Sequence, residues 1–261
     1  MVYLCLGHLL INLLLLCIKF FLNLKQKINF DYEFNSKNIK DIDLCVDGCD
    51  LYLSCLPATK WFINQNIEKD FANINFIISY LSKKRYKNIF LFSTIDVYSD
   101  SPINVDEDYC PNFSGLNYGS NRLLFEYLIK QFISYENCYI FRLPALFGKF
   151  LKKNIIYDLL NNNRIDSINL NSYYQWYNLE NLEDDIKSLI IKNPKSDIFN
   201  LFTEPIYTEE LVANVFPEFK LKARNDLVRY DWKTKHFSSG YVCDKDIVLN
   251  QIKKFVYEVR N

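Results

Sequence analysis

Two short stretches carry residue types that together could move a proton. Phe92-Ser93-Thr94-Ile95-Asp96-Val97-Tyr98 closes the apolar run Asn88-Ile89-Phe90-Leu91-Phe92, and Tyr118-Gly119-Ser120-Asn121-Arg122 opens an amphipathic stretch. A hydroxyl at a strand end can share a substrate proton with a nearby phenol. An unperturbed tyrosine titrates at about pH 10, so alone it is a poor base at neutral pH. Arg122 follows Tyr118 by one helical turn, on the same helix face, and a cation there favours the phenolate. Thr94, Tyr118 and Arg122 are therefore the candidate catalytic residues.

A third segment, Arg142-Leu143-Pro144-Ala145-Leu146-Phe147-Gly148, follows in order. Together the three resemble the Ser-Ser/Thr-x-x-Val-Tyr, Tyr-x-x-x-Lys and Arg-x-x-x-x-Tyr-Gly-like motifs of the extended short-chain dehydrogenase/reductase family. Within that family they are most similar to the NAD-dependent sugar-nucleotide epimerases and dehydratases. The resemblance is clearest between Asp50 and Gly148. It implies that Tyr118 takes a proton from a sugar hydroxyl while a nicotinamide accepts hydride, with Thr94 bonded to the reacting oxygen. It also implies that Arg122 stands where the family has the Lys that positions the ribose. The 4,6-dehydratases carry Asp-Glu directly after the Thr, whereas Ile95-Asp96 stand here. That favours oxidation, reduction or epimerisation over elimination of water. Asp96, Asn154 and Arg224 are the candidate contacts to a nucleotide sugar.

The sequence departs from the family in two places. Arg122 replaces Lys, and a planar guanidinium is not a conservative substitute for an ammonium at a close-packed site. After the first strand, only Gly7 remains of the glycine-rich turn that brings a pyrophosphate to a helix N-terminus, and Leu10 and Leu13 occupy the other glycine registers. The implied cofactor set is Gly7, Asp31, Leu56, Ala58, Tyr118 and Arg122. Asp31 closes Ile28-Asn29-Phe30-Asp31 near the spacing of a ribose-binding acid. In that role it would select NAD over NADP, because a carboxylate repels a 2′-phosphate; it also reads as an ordinary loop aspartate. Two functional readings follow. One is an NAD(P)-dependent oxidoreductase or epimerase acting on a nucleotide-activated sugar, in surface-polysaccharide synthesis. The other is a Rossmann-like scaffold that has lost the glycine-rich phosphate loop and turns nothing over.

The elements that must position these residues alternate between strand and helix. Strands are expected at Tyr3–Leu6, Ile28–Phe30, Asp50–Leu56, Asn88–Phe92 and Tyr139–Leu143. Helices are expected up to Asn23, over 67–84 with Phe71, Ile74, Ile77, Ile78 and Leu81 at helical spacing, and from Tyr118 to Ser134. Asn73 and Asn75 both resemble the family's helix asparagine. This alternation predicts an α/β fold, a Rossmann-like doubly wound parallel sheet over 1–150, with a smaller C-terminal substrate lobe over 151–261. In that lobe Ile165–Leu170 is expected as a strand, Gln175–Ile186 as a strand entering a helix, Asp197–Leu201 as a strand, and Tyr207–Leu211 as a capped helix start.

Composition is compatible with this picture. The chain has 261 residues, 49% hydrophobic and 24% charged, which is globular rather than disordered. Lys+Arg and Asp+Glu balance at 31 each, which argues against a nucleic-acid partner. The 8 cysteines form no C-x-x-C pair and read as reduced thiols of a cytoplasmic protein, and with 2 histidines no zinc site is expected. Residues 9–24 are apolar nearly all round. They read as a first helix buried against the sheet or, alternatively, as an N-terminal membrane anchor. Family resemblance further implies a homodimer through the Tyr118 helix.

Overall fold

The computed structural model describes residues 2–4, 24–35, 37–113, 115–149 and 153–261. Gly7, Leu10, Leu13 and the apolar segment up to Asn23 lie outside the described residues. The chain divides into two compact units, the first comprising Met1–Ser101, Cys110–Arg142 and Leu182–Phe199, the second Pro102–Tyr109, Leu143–Asn181 and Asn200–Asn261.

The first unit is built on a six-stranded sheet. Its strands are β1 (Val2–Leu4), β2 (Tyr32–Phe34), β3 (Cys49–Leu53), β4 (Arg85–Thr94), β5 (Ser134–Leu143) and the strand Asp197–Asn200. They lie in the order β2-β1-β3-β4-β5, with Asp197–Asn200 outside β5. β1 pairs in parallel with β2 and with β3, and β3 in parallel with β4. Parallel neighbours require crossover connections, and between β3 and β4 the helices Lys60–Gln65 and Ile67–Leu81 supply one. The strand order reverses between β1 and β3, and in such sheets that reversal opens a crevice at the strands' carboxyl ends.

Side-chain alternation explains both faces. Leu51, Leu53, Ile89, Leu91, Cys138 and Ile140 fall on one face and join Ile74, Ile77 and Leu81 of the helix Ile67–Leu81 and Phe125 and Ile129 of the helix Tyr118–Phe132 in one buried cluster. Fully burying each such side chain contributes about 1.5–3 kcal/mol. The alternate positions carry rings. Tyr52 stacks on Phe90 at 4.3 Å, Phe90 on Tyr139 at 5.6 Å, Phe92 on Phe141 at 5.8 Å and Phe141 on Phe199 at 5.3 Å. A one-residue slip of β4 would exchange these two faces, so the register is firmly set.

Several expectations are corrected. The second strand is not Ile28–Phe30 but β2, because Ile28 closes a turn by donating its N–H to the Leu24 carbonyl at 2.8 Å. Asp31 therefore precedes β2 and stands at its amino end. The helix Ile67–Leu81 is preceded by a short helix, Lys60–Gln65, and Phe71 is exposed rather than inward. Ile165–Ser167 is a 3-10 turn, not a strand. The cut at residue 150 is replaced by repeated crossing. The helix Leu182–Lys192 belongs to the first unit, the strand Asp197–Asn200 extends its sheet, and Pro102–Tyr109 belongs to the second.

The second unit has its own core, with Phe147, Trp176, Leu211, Phe216, Leu249 and Ile252 among its buried members. Ala145–Phe147 pairs in parallel with Trp176–Asn178, and Tyr173–Tyr174 pairs antiparallel with Ile206–Tyr207. Gly148, at φ +146°, ends the first of these strands where a Cβ would lie 3.2 Å from Leu179 Cβ. The helix Thr208–Val215 begins after Tyr207 without a side-chain cap. Among the described residues no helix is long and apolar enough to cross a membrane.

Candidate active site

β4 delivers Thr94 as its last residue, and the chain turns at once into the 3-10 segment Ile95–Tyr98. Thr94 caps this turn, its Oγ1 accepting from the Asp96 N–H at 3.2 Å and donating to Asp96 Oδ2 at 3.4 Å. The other Asp96 oxygen is held by Lys60 Nζ at 2.6 Å. Lys60 opens the short helix that follows the loop Leu56-Pro57-Ala58-Thr59, beyond the carboxyl end of β3.

The helix Tyr118–Phe132 starts against this turn. Asn117 caps it, its side chain accepting from the Ser120 N–H at 2.9 Å, and Asn64 accepts from the Tyr118 N–H at 2.8 Å. Gly119 makes the approach possible, since a Cβ there would lie 2.1 Å from the Asp96 carbonyl oxygen. The next turn of the helix carries Arg122, whose guanidinium stacks over the Tyr118 ring at 4.5 Å. Its Nη1 donates to Asp70 Oδ2 at 2.7 Å, and its Nη2 to Asp70 Oδ1 at 3.2 Å and to the Pro57 carbonyl at 2.7 Å. Asn121 adds a bond to Asp70 at 2.8 Å. Burial opposes the Arg122 charge, but the Tyr118 hydroxyl and the Asp70 carboxylate outweigh it and raise the guanidinium pKa above its usual value.

A second buried cluster lies in the same unit. Arg142 on β5 donates Nη2 to Glu126 Oε2 at 2.7 Å, Nε to Glu126 Oε1 at 3.2 Å and Nη1 to the Tyr98 hydroxyl at 2.5 Å. Ser93 donates its hydroxyl to Glu126. Burial opposes the Arg142 charge as well, and Glu126 and Tyr98 overcome it, so this pKa too is raised.

The residues expected to bind cofactor or substrate are distributed unevenly. Thr94, Asp96, Tyr118 and Arg122 belong to one connected group, and the Leu56–Ala58 loop joins it through the Pro57 carbonyl. Asp31 does not. Asn154 is the N-cap of the helix Ile155–Leu160, accepting from Ile156 and Tyr157 N–H at 3.1 and 3.3 Å and donating to the Leu146 carbonyl at 2.8 Å. Its side chain thus holds the local backbone at this helix start. Arg224 pairs with Asp226 at 2.8 Å and donates to the Asp166 carbonyl, closing its own loop. Asn73 and Asn75 yield to Asp70 as the helix residue that meets Arg122. The spacing of Asp70 with Ile74, Ile77 and Leu81 places it on the buried helix face, a signal present in the sequence. Among the described residues no group of three His, Cys, Asp or Glu side chains could hold a metal ion.

No family model matches this sequence, and no curated protein matches it in sequence. Solved structures match its fold. A dTDP-4-dehydrorhamnose reductase from Clostridium acetobutylicum superposes with a TM-score of 0.71 at 10% identity, covering 100% of both chains. MoeE5 in complex with UDP-glucuronic acid and NAD gives 0.69 at 12% identity, covering 99% of this chain and 98% of that one. The UDP-glucose 4-epimerase with UDP-glucose from Thermotoga maritima gives 0.68 at 10% identity, covering 100% and 99%. This chain shares the fold of these three structures.

Proposed function

We propose that the protein is an NAD(P)-dependent oxidoreductase or epimerase acting on a nucleotide-activated sugar. The observation that carries this reading is the Tyr118–Arg122 stack, set at the helix start beside the Thr94–Asp96 turn at the carboxyl end of β4. Proteins of the same fold, such as those named above, are reductases and epimerases or were solved with NAD and a UDP-sugar. Two features support a dinucleotide here. The sheet reverses its strand order between β1 and β3, and the Leu56–Ala58 loop at that edge is small or apolar. When bound, the nicotinamide supplies the hydride chemistry. Tyr118 then exchanges the proton of the reacting hydroxyl. Thr94 hydrogen-bonds the same oxygen. Asp96, held by Lys60, fixes the Thr94 rotamer.

The cofactor preference we propose is NADP rather than NAD. Asp31 precedes β2, so its carboxylate lends no support to NAD. Asn35 and Lys37 follow β2 at the end where an adenosine ribose would lie, and the Lys37 side chain is exposed. A cation there attracts a 2′-phosphate. Cytoplasmic residence suits this reading, Cys45, Cys49, Cys110 and Cys138 being free thiols. A homodimer through the Tyr118–Phe132 helix would cover Tyr127 and Phe132, which are exposed.

Fluorescence titration with NADH and NADPH tests the proposal. NADPH is expected to bind more tightly, by about ten- to a hundredfold if one charged hydrogen bond to the phosphate is made, and Lys37→Ala should remove that margin. Binding of neither cofactor would overturn the enzymatic reading and leave the scaffold.

A further inference from the structure

The cation beside Tyr118 is not a lone charge. The Asp70 side chain is fully buried, at 0% exposure, and both its oxygens face Arg122. The guanidinium is thereby fixed in a plane over the phenol ring while its Nη2 also reaches the Pro57 carbonyl. An ammonium has neither the planar fork nor the span for this set of partners, so arginine at position 122 and the acid at position 70 belong together. Two further charged groups lie at this helix start among the described residues: Asp96, on the turn that touches Gly119, and Lys60, on the short helix that carries Asn64. These two form a pair of their own at 2.6 Å. These four charges therefore form two pairs.

We propose that Asp70 is a positioning residue that neutralises Arg122 and locks its guanidinium against Tyr118, so that the arginine acts on the phenol by stacking instead of as an uncompensated cation. The cation that would favour a phenolate by its charge is held in check, and the acid on the neighbouring helix sets how far. The functional meaning of this inference rests on the proposed role of Tyr118, but its test needs neither cofactor nor substrate, so the two stand or fall separately.

Absorbance titration of the protein, minus that of Tyr118→Phe, isolates the ionisation of this one phenol. In Asp70→Asn the Arg122 charge loses its counterion, and the midpoint should fall by about 1 to 3 pH units, the range for a close opposite charge. In the double variant Asp70→Asn/Arg122→Gln both charges are gone, two amides replace the pair, and the midpoint should return to the parent value. A merely structural role for Asp70 would move neither. An unchanged midpoint in Asp70→Asn overturns the proposal. So does a double variant whose midpoint rises by a unit or more, since that would show the parent phenol feeling a net cation. If Asp70→Asn does not fold, which circular dichroism will report, the neutral double variant decides alone.

Discussion

Arg122–Asp70 under Tyr118 and Arg142–Glu126 under Tyr98 are built from the same parts within one unit. Each pair is two-pronged with a shortest contact of 2.7 Å, and each guanidinium lies over a ring, at 4.5 Å from Tyr118 and 4.9 Å from Tyr98. Their surroundings separate them. The Tyr98 hydroxyl turns back onto Arg142, Ser93 donates to Glu126, and the ring is at 0% exposure. That cluster closes on itself and ties β5 to the middle of the Tyr118–Phe132 helix. The other sits at the first turn of that helix, and Arg122 extends out of the pair to the loop after β3. Burial of a charge pair is thus no guide to its role. Where the pair meets the loops at the strands' carboxyl ends is the better guide.

Substitutions can break this contrast. The largest effect is expected for Tyr118→Phe, which should lower turnover about 10²- to 10⁴-fold while leaving the unfolding midpoint in urea near that of the parent. Undiminished turnover would remove the distinction between the two tyrosines. Glu126→Ala should do the reverse. It leaves the Arg142 charge buried without its partner, so it should cost about 3–5 kcal/mol in urea unfolding, with turnover per folded molecule unchanged. Gly119→Ala should show both signatures at smaller size. Its Cβ would lie 2.1 Å from a backbone oxygen that cannot swing away, so the helix start must shift, at about 1–3 kcal/mol, and Tyr118 with it.

Sequence pattern made the active group legible where its signals are local. Thr94 at a strand end and Tyr118 at a helix start follow from short-range periodicity, and the apolar alternation of β3, β4 and β5 marks the sheet. Partners distant along the chain were harder to see. Asp70 meets Arg122 across two helices, and its place on the 70-74-77-81 face becomes informative only once that helix is known to pack on the Tyr118 helix. β2 escaped because two of its three residues, Tyr32 and Glu33, are exposed, so no apolar run announces it, while Ile28 and Phe30 lie in the connection before it. That displacement moved Asp31 to the wrong end of the strand. Asn154 carried a second local signal, since an asparagine before an apolar run is a cap signal in its own right.

Lys60 gives the smallest expected effect and the finest test of how the two kinds of ion pair differ. Its bond to Asp96 is 2.6 Å long, but the Lys60 side chain is 46% exposed against 6% for Arg122, so water screens the attraction. An exposed pair of this kind contributes about 0.2–1 kcal/mol. Lys60→Met should therefore shift urea unfolding by no more than that, and the shift should shrink further in added salt. Its consequence should lie in rate instead, because Asp96 is also the acceptor of the Thr94 hydroxyl and loses one of the contacts that fixes it. A variant that keeps its stability and loses turnover would mark Lys60 as acting through Asp96 on Thr94. A loss of several kcal/mol would place this pair with Arg142–Glu126 as part of the frame.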